Sequence, residues 1–289
     1  MYQAKEDNAG FAFFDVNCVQ HDPSRLTLVT ELRRAIERRE LCLYYQPKAV
    51  LADGAVRSVE ALLRWQHPTR GMLGPDEFIP LAQQTGLIKP LTLHVVDEAL
   101  RQCREWQEQH GLLISIAVNL SPRNLLDTDF PTEVQGLLDV RGVDPGLLEF
   151  EITESTMLSD PVRTKQILER LSEMGIRLSI DDFGTGYSSL SYLKGLPVNE
   201  IKIDRSFVMN MDSSLDDATI VRSTIDLGRN LGLEVVAEGV ETEAIWNRLT
   251  SLGCNIAQGY FLSRPVPPDE LVAWLAKRRQ GVGDVERAA

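Results

Sequence analysis

From residue 41 to residue 258 the chain repeats one unit: a short apolar run, then a longer stretch whose apolar residues recur at helical spacing. Apolar runs at 41–50, 55–65, 113–119, 147–152, 176–181, 199–203, 233–237 and 254–258 predict strands. Segments at 75–85, 91–109, 131–139, 161–174, 216–232, 242–252 and 268–279 predict helices. Ahead of the first strand, SRLTLVTELRRAIERRE predicts one more helix, with Ser24 as its N-cap and Leu28, Leu32 and Ile36 on one face. Strands alternating with helices wind a parallel sheet, and eight of them at this length predict an α/β fold, a (β/α)₈ TIM-type barrel. One connection breaks the pattern. The turn around Ala52-Asp53-Gly54 is far too short for a parallel crossover, so the first strand should run antiparallel to the second. The expected fold is a modified barrel with one reversed strand.

Composition narrows the partners. The net charge of −12 argues against binding DNA, RNA or an anionic membrane surface broadly, although metal ions can reverse the field locally for a small anion. No apolar run approaches the roughly 18 residues of a membrane span. Cys18, Cys42, Cys103 and Cys254 are scattered without CxxC spacing, which reads as reduced thiols and a cytoplasmic setting. Residues 1–22 are too short to fold alone and read as the tail of an upstream domain or a linker. The barrel is expected over 24–280, and 281–289 (GVGDVERAA) as a disordered tail.

The polar residues are placed by position. Seven of the eight predicted strands end in or near a side chain able to bind metal or substrate: Glu60, Asn119, Glu151, Asp181, Lys202, Glu238 and Gln258. In barrels of this type the carboxyl ends of the strands build the active site. Within IRLSIDDFGTGYSSL (176–190) two adjacent acids, Asp181 and Asp182, precede a Gly-Thr-Gly loop. Neighbouring side chains on a strand point to opposite faces, so both acids reach one site only if the backbone turns there. Taken alone, the stretch also fits a solvated turn.

Oxygen ligands without histidine or cysteine favour hard cations, Mg²⁺ or Mn²⁺. Glu60, Asn119, Glu151 and Asp181 suit one ion, and Asp181 with Asp182 a second. Two such ions about 3.5–4 Å apart clamp a phosphate for in-line displacement. Lys202 either positions the attacking water or simply neutralises the acids around it. Glu238 and Glu241, spaced EGVE, suit metal or proton work, and Glu241 equally suits tying down a loop. Asp204, two residues beyond Lys202, reads as its supporting partner on the same side of the strand. Arg64 either grips an anion bidentately or pairs on the surface. Gln46 reads a base edge or caps a turn. Glu154 either hydrogen-bonds the Gly-Thr-Gly loop or caps the helix starting near Pro161. Phe78, Trp65, Tyr187 and Tyr260 read as core or wall.

Taken together, SVEALLRW around Glu60-Ala61-Leu62, NLS at 119–121, EITES at 151–155, DDFGTGYSSL at 181–190, IKID at 201–204, EGVE at 238–241 and QGY at 258–260 resemble the EAL family of bacterial cyclic di-GMP phosphodiesterases. The resemblance runs from about 24 to 280. It implies hydrolysis of cyclic di-GMP to linear pGpG with two Mg²⁺ or Mn²⁺ ions, lowering this second messenger in bacterial signalling. It also implies Glu60, Asn119, Glu151, Asp181, Asp182 and Glu238 at the metals. Lys202 and Glu238, with Glu60, would carry the chemistry on water, and Gln258 would contact water on the metal. Gln46, Leu62, Arg64 and Glu241 would face substrate, Glu154 would hold the loop, and Asp204 would stand behind these residues. A homodimer through 193–207 is a further implication. Asn124 departs from a common NLSxxQ pattern, at a distance from the metals. The opening MYQAK resembles the end of a GGDEF domain, so an upstream GGDEF or sensor domain is expected in a longer protein. The competing readings are a catalytically silent cyclic di-GMP receptor, and an enolase-type barrel in which a lysine abstracts a proton. Intact ligands argue against the first, and the lack of a capping segment against the second.

Overall fold

The computed structural model describes residues 23–38, 40–154, 156, 160–186 and 193–288. The expected remnant at 1–22 and the wall residue Tyr187 lie outside them. The strands are β1 (Leu41–Val50), β2 (Val56–His67), β3 (Gly71–Leu73), β4 (Ser115–Asn119), β5 (Leu148–Thr153), β6 (Arg177–Phe183), β7 (Glu200–Ile203), β8 (Glu234–Ala237) and β9 (Ile256–Gln258). Eight of these close a barrel in the order β1-β9-β8-β7-β6-β5-β4-β2, with β2 pairing back to β1. β1 is antiparallel to both neighbours and every other barrel pair is parallel. The reversed first strand is therefore present.

The hairpin that reverses it is closed by local chemistry. Gly54 sits at φ 68 and donates its amide to the Val50 carbonyl, while the Asp53 carboxylate accepts from the Ala55 amide. Around the barrel lie α1 (Pro23–Arg38), α2 (Pro75–Thr85), α3 (Ile88–His110), α4 (Phe130–Arg141), α5 (Pro161–Glu173), α6 (Arg205–Asn210), α7 (Leu215–Leu231), α8 (Glu243–Leu252) and α9 (Pro268–Ala288). α1 opens at Pro23, so Ser24 lies inside its first turn rather than at its cap; proline at the start of a helix loses no hydrogen bond. α9 continues through Ala288, past the point where the sequence predicts a disordered tail. Ser214 and Thr242 cap α7 and α8 by accepting the amides of Asp217 and Ile245. Because Thr242 directly follows Glu241, that cap fixes the end of the EGVE loop.

Apolar side chains pack between the strands and the surrounding helices, with Trp65 and Phe78 fully buried and in edge contact. The barrel interior differs from the layers of branched aliphatics usual in this fold. Lys48, Glu149, Glu151, Ser179, Glu200 and Lys202 are all buried. Glu149 and Glu151, like Glu200 and Lys202, stand two residues apart on one strand and so share one face.

One close approach positions the rim of the barrel. A Cβ on Gly259 would lie 2.2 Å from the Val240 carbonyl oxygen and 2.3 Å from its amide nitrogen, so this site admits only glycine. The same segment is laced by Val240 N–H to Gln258 O and Phe261 N–H to Val240 O. Gly259→Ala is expected to lower stability by about 1–3 kcal/mol through forced backbone shifts. Urea unfolding measures this, and an unchanged midpoint would mean that the two loops do not pack so closely.

Candidate active site

The adjacent acids share one site because β6 breaks its own alternation. Ile180 pairs with Ile201 and Phe183 with Ile203, so three steps on β6 face two on β7. The extra residue is a bulge, and within it Asp182 takes φ 54, the non-glycine residue with positive φ among those described. Asp tolerates that conformation better than most side chains. As a result Asp181, Asp182 and Glu238 each offer an oxygen within 4.8 Å of one another.

Lys202 is the hub. Its ammonium lies 2.8 Å from Glu151 Oε2, 3.1 Å from Asp181 Oδ1, 2.7 Å from Glu238 Oε1 and 3.9 Å from Glu60 Oε2, with its side chain fully buried. Glu60 is held at both oxygens, accepting from Asn119 Nδ2 at 2.8 Å and from Gln258 Nε2 at 2.7 Å. Gln258 also donates to Gln46 Oε1, and Gln46 in turn donates to the Ser263 carbonyl. Five of the seven predicted strand-end residues, Glu60, Glu151, Asp181, Glu238 and Lys202 itself, thus meet at the Lys202 ammonium, and Asn119 and Gln258 join them through Glu60.

Several expectations are refined. Glu60 stands in mid-strand, facing Gln46, rather than at a strand end, because β2 continues past the barrel to His67. Asp204 does not face Lys202. β7 ends at Ile203, so the two-residue period no longer applies, and the Asp204 carboxylate caps α6 and lies against Asp182. Arg64 donates to the Leu63 carbonyl and sits over the Tyr44 ring rather than in an ion pair. Glu154 accepts the amides of Gly184 and Gly186 at 3.0 and 3.4 Å, the loop-holding alternative rather than the helix cap. Asp160 caps α5 instead.

A cavity of about 750 Å³ opens over this cluster. Leu62, Arg64, Glu241 and Tyr260 line it beside the acids. Tyr260 is a half-exposed wall residue, with the Arg264 guanidinium 4.2 Å from its ring centroid.

Five carboxylates, Glu60, Glu151, Asp181, Asp182 and Glu238, gather around the ammonium of Lys202, and of the five only Glu151 touches a second one, that of Lys48, so acids outnumber cations here. The acids at the rim register it. Burial, with Asp181 and Asp204 nearby, pushes Asp182 up to about 6. Burial and neighbouring acids also raise Glu238 and Glu60 against the pull of Lys202. Glu151 goes the other way: burial would raise it, but Lys202 and Lys48 hold it down at about 2. An all-oxygen donor set with uncompensated negative charge beside an open cleft fits divalent hard cations.

Three buried charged residues beneath the site escape a reading based on strand ends. Lys48 reaches Glu149 at 2.8 Å, Glu151 at 2.6 Å and Glu200 at 3.3 Å. Glu149, Glu151 and Glu200 form a second group with the spacing of metal ligands, and the Lys48 ammonium sits among them. The signal for them was the two-residue step from Gln46 to Lys48, from Glu149 to Glu151 and from Glu200 to Lys202.

A carboxyl whose folded value is raised above its unfolded value near 4 keeps a proton in the folded state that the unfolded chain has released. Stability then falls as pH rises through the interval between the two. For Asp182, Glu238 and Glu60, set against Lys202 and Asp181, that interval begins near pH 4 and extends through about 6 for Asp182. In EDTA the thermal midpoint is therefore expected to be lower at pH 8 than at pH 5.5. Added Mn²⁺ should raise it more at pH 8 than at pH 5.5, since cations then replace the lost protons. Scanning fluorimetry checks this, and a Mn²⁺ effect that is absent or independent of pH would remove the cation site.

The chain matches the EAL domain family over residues 29–265. It is 47% identical over 277 residues to the bifunctional diguanylate cyclase/cyclic di-GMP phosphodiesterase MucR of Pseudomonas aeruginosa, covering 96% of this chain and 40% of that protein. It is 42% identical over 267 residues to the cyclic di-GMP phosphodiesterase NbdA of the same organism, covering 92% and 34%. The chain thus spans about two-fifths or less of these relatives. Its fold superposes on the solved PaMucR phosphodiesterase in complex with c-di-GMP with a TM-score of 0.81 at 49% identity, covering 85% of this chain and 99% of that one. With the closed barrel, its reversed first strand and the acids gathered around Lys202, these likenesses establish that the chain belongs to the EAL family.

Proposed function

We propose that this chain hydrolyses one phosphodiester bond of cyclic di-GMP to give linear pGpG, using two Mg²⁺ or Mn²⁺ ions. The observation that carries this reading is the bulge at Asp181-Asp182, which brings both of these acids to a cluster that also holds Glu60, Glu151 and Glu238 beneath an open cleft. The named activities of MucR and NbdA support it. Glu60, Asn119, Glu151, Asp181, Asp182 and Glu238 would hold the ions, which when bound neutralise phosphoryl charge and make a water nucleophilic near neutral pH.

The protein's own groups divide the remaining work. Lys202, fixed by three carboxylates, presents a fixed positive charge against the reacting phosphoryl group. Glu238, whose burial favours the protonated form, suits holding and passing a proton at the oxygen that Lys202 does not engage. Arg64 and Gln46, with Leu62 and Glu241, would orient the nucleotide in the cleft. Glu154 holds the two glycine amides that follow the Asp pair, and so keeps Asp182 in its unusual conformation. A homodimer through 193–207 and a cytoplasmic setting belong to the same reading. Among the described residues no helix is long and apolar enough to cross a membrane.

Chromatography of cyclic di-GMP incubated with the protein in Mg²⁺, Mn²⁺ or EDTA tests the activity. Metal-dependent pGpG is expected, falling by at least about 100-fold in Glu60→Ala, since even groups that only support metal ligands cost about 10–100-fold. Saturable binding with no product would make the chain a receptor, and neither binding nor product would reject the proposal. Glu154→Ala is expected to slow turnover by about 10–100-fold, because two loop amides lose their acceptor. Wild-type turnover in that variant would show that the loop holds itself.

A further inference from the structure

We propose that Lys48 is a positioning residue for the metal site: its buried ammonium fixes one oxygen of Glu151 so that the other is presented to the cations. The proposal rests on the reading of Glu151 as a metal ligand. Lys48 is 1% exposed and stands on β1 in register with Ser58 of β2 and Gln258 of β9. Its Nζ lies 2.6 Å from Glu151 Oε1, while Lys202 holds Glu151 Oε2 at 2.8 Å. The two oxygens of one carboxylate are thus pinned by two different cations, one beneath the site and one within it. Oε1 is held from below, which leaves Oε2, the oxygen beside Lys202, on the side of the upper acids.

Lys48 is itself held rigidly. Glu149 and Glu200 take its other hydrogen bonds at 2.8 and 3.3 Å. Glu200 also accepts from Ser179 Oγ at 2.9 Å, and Glu149 from Arg177 Nε at 3.3 Å. An ammonium with three acceptors and no exposure has one position available. Without it, three carboxylates with oxygens within 4.8 Å lose the one cation they have in common, Glu151 Oε1 loses its donor, and the carboxylate is free to turn about the Lys202 contact that remains. Such a turn moves the oxygen that a metal would use. No step of the hydrolysis passes through Lys48, so its effect should appear in metal affinity before turnover.

The test is Mn²⁺ titration of the substrate-free protein, followed by electron paramagnetic resonance, in wild type, Glu151→Ala, Lys48→Met and the triple variant K48M/E149Q/E200Q. The triple variant leaves no unpaired buried charge below the site, so it separates positioning from folding. Wild type should bind Mn²⁺, and Glu151→Ala should weaken it. Lys48→Met and the triple variant should weaken the same class of site by about 10–100-fold, the triple variant with near wild-type thermal stability. If wild type binds no Mn²⁺, the metal reading itself fails. If wild type binds and Glu151→Ala weakens it, but a folded Lys48→Met or the triple variant binds as wild type does, only the role of Lys48 is overturned. Recovery of affinity together with stability in the triple variant would likewise reduce Lys48 to a structural ion.

Discussion

The structure depends on a single carboxylate being charged where no water reaches it. Glu151 is fully buried, and burial alone would drive it to the neutral acid. Two ammoniums reverse that outcome, one on each oxygen. Each lysine is in turn held by further acids, so charges of alternating sign run through the barrel from Arg177 and Glu149 at the amino ends of the strands to Asp181 and Glu238 at the rim. Isolated buried ions are costly, and buried ions in such a chain are not isolated. Removing one member leaves its neighbours uncompensated, which ties the interior of the fold to the end that carries the acid cluster.

The balance of charge changes along that chain, and the change locates function. At the level of Lys48, three carboxylates share one ammonium that touches them all, and Arg177 neutralises the outer oxygen of Glu149. At the level of Lys202 the acids outnumber the ammonium and rise towards their protonated forms. Burial pushes Glu200 of the lower level up as well, to about 7, but there the Lys48 ammonium sits among the acids, whereas Asp181, Asp182 and Glu238 line the wide cleft above. Local backbone rules are also broken at the upper level, with Asp182 at positive φ inside a bulge. Strain and unbalanced charge in one place are what a binding site looks like when the rest of the molecule follows the rules.

Much of this was legible in the sequence. Parallel strands carry near-continuous apolar runs, so a polar side chain where a run stops is conspicuous; Asn119, Glu151, Asp181, Lys202, Glu238 and Gln258 were found on that ground. The hairpin at Asp53-Gly54 announced the reversed strand. β3 was missed because three residues, Gly71-Met72-Leu73, carry no period. α6 was missed for a similar reason, since six residues make less than two helical turns. Lys48, Glu149 and Glu200 were passed over because barrel interiors are normally aliphatic, and acids or lysines in a strand otherwise read as its solvent face. Asp204 was assigned to the wrong neighbour because a strand's alternation cannot be extended past an end that the sequence does not mark.

The reversed first strand has a geometric consequence for the site. In a parallel strand the chain climbs toward the end that carries the acid cluster; in β1 it descends from it. Gln46 therefore arrives first, level with Glu60, and Lys48 follows one step deeper, at the level where Glu151 needs a cation from below. Descent also places the hairpin at the far end of the barrel, which frees β2 to rise past the rim to His67. That extension lifts Leu62 and Arg64 above the plane of the acids to form one wall of the cleft. The opposite edge of β1 receives the chain after β9: Tyr45 and Val266 exchange backbone hydrogen bonds at 2.8 and 3.0 Å, bringing Ser263 to Gln46. One antiparallel strand thus sets the depth of the lower cation, the height of the wall and the closure of the last loop, and none of these would follow from a barrel of eight parallel strands.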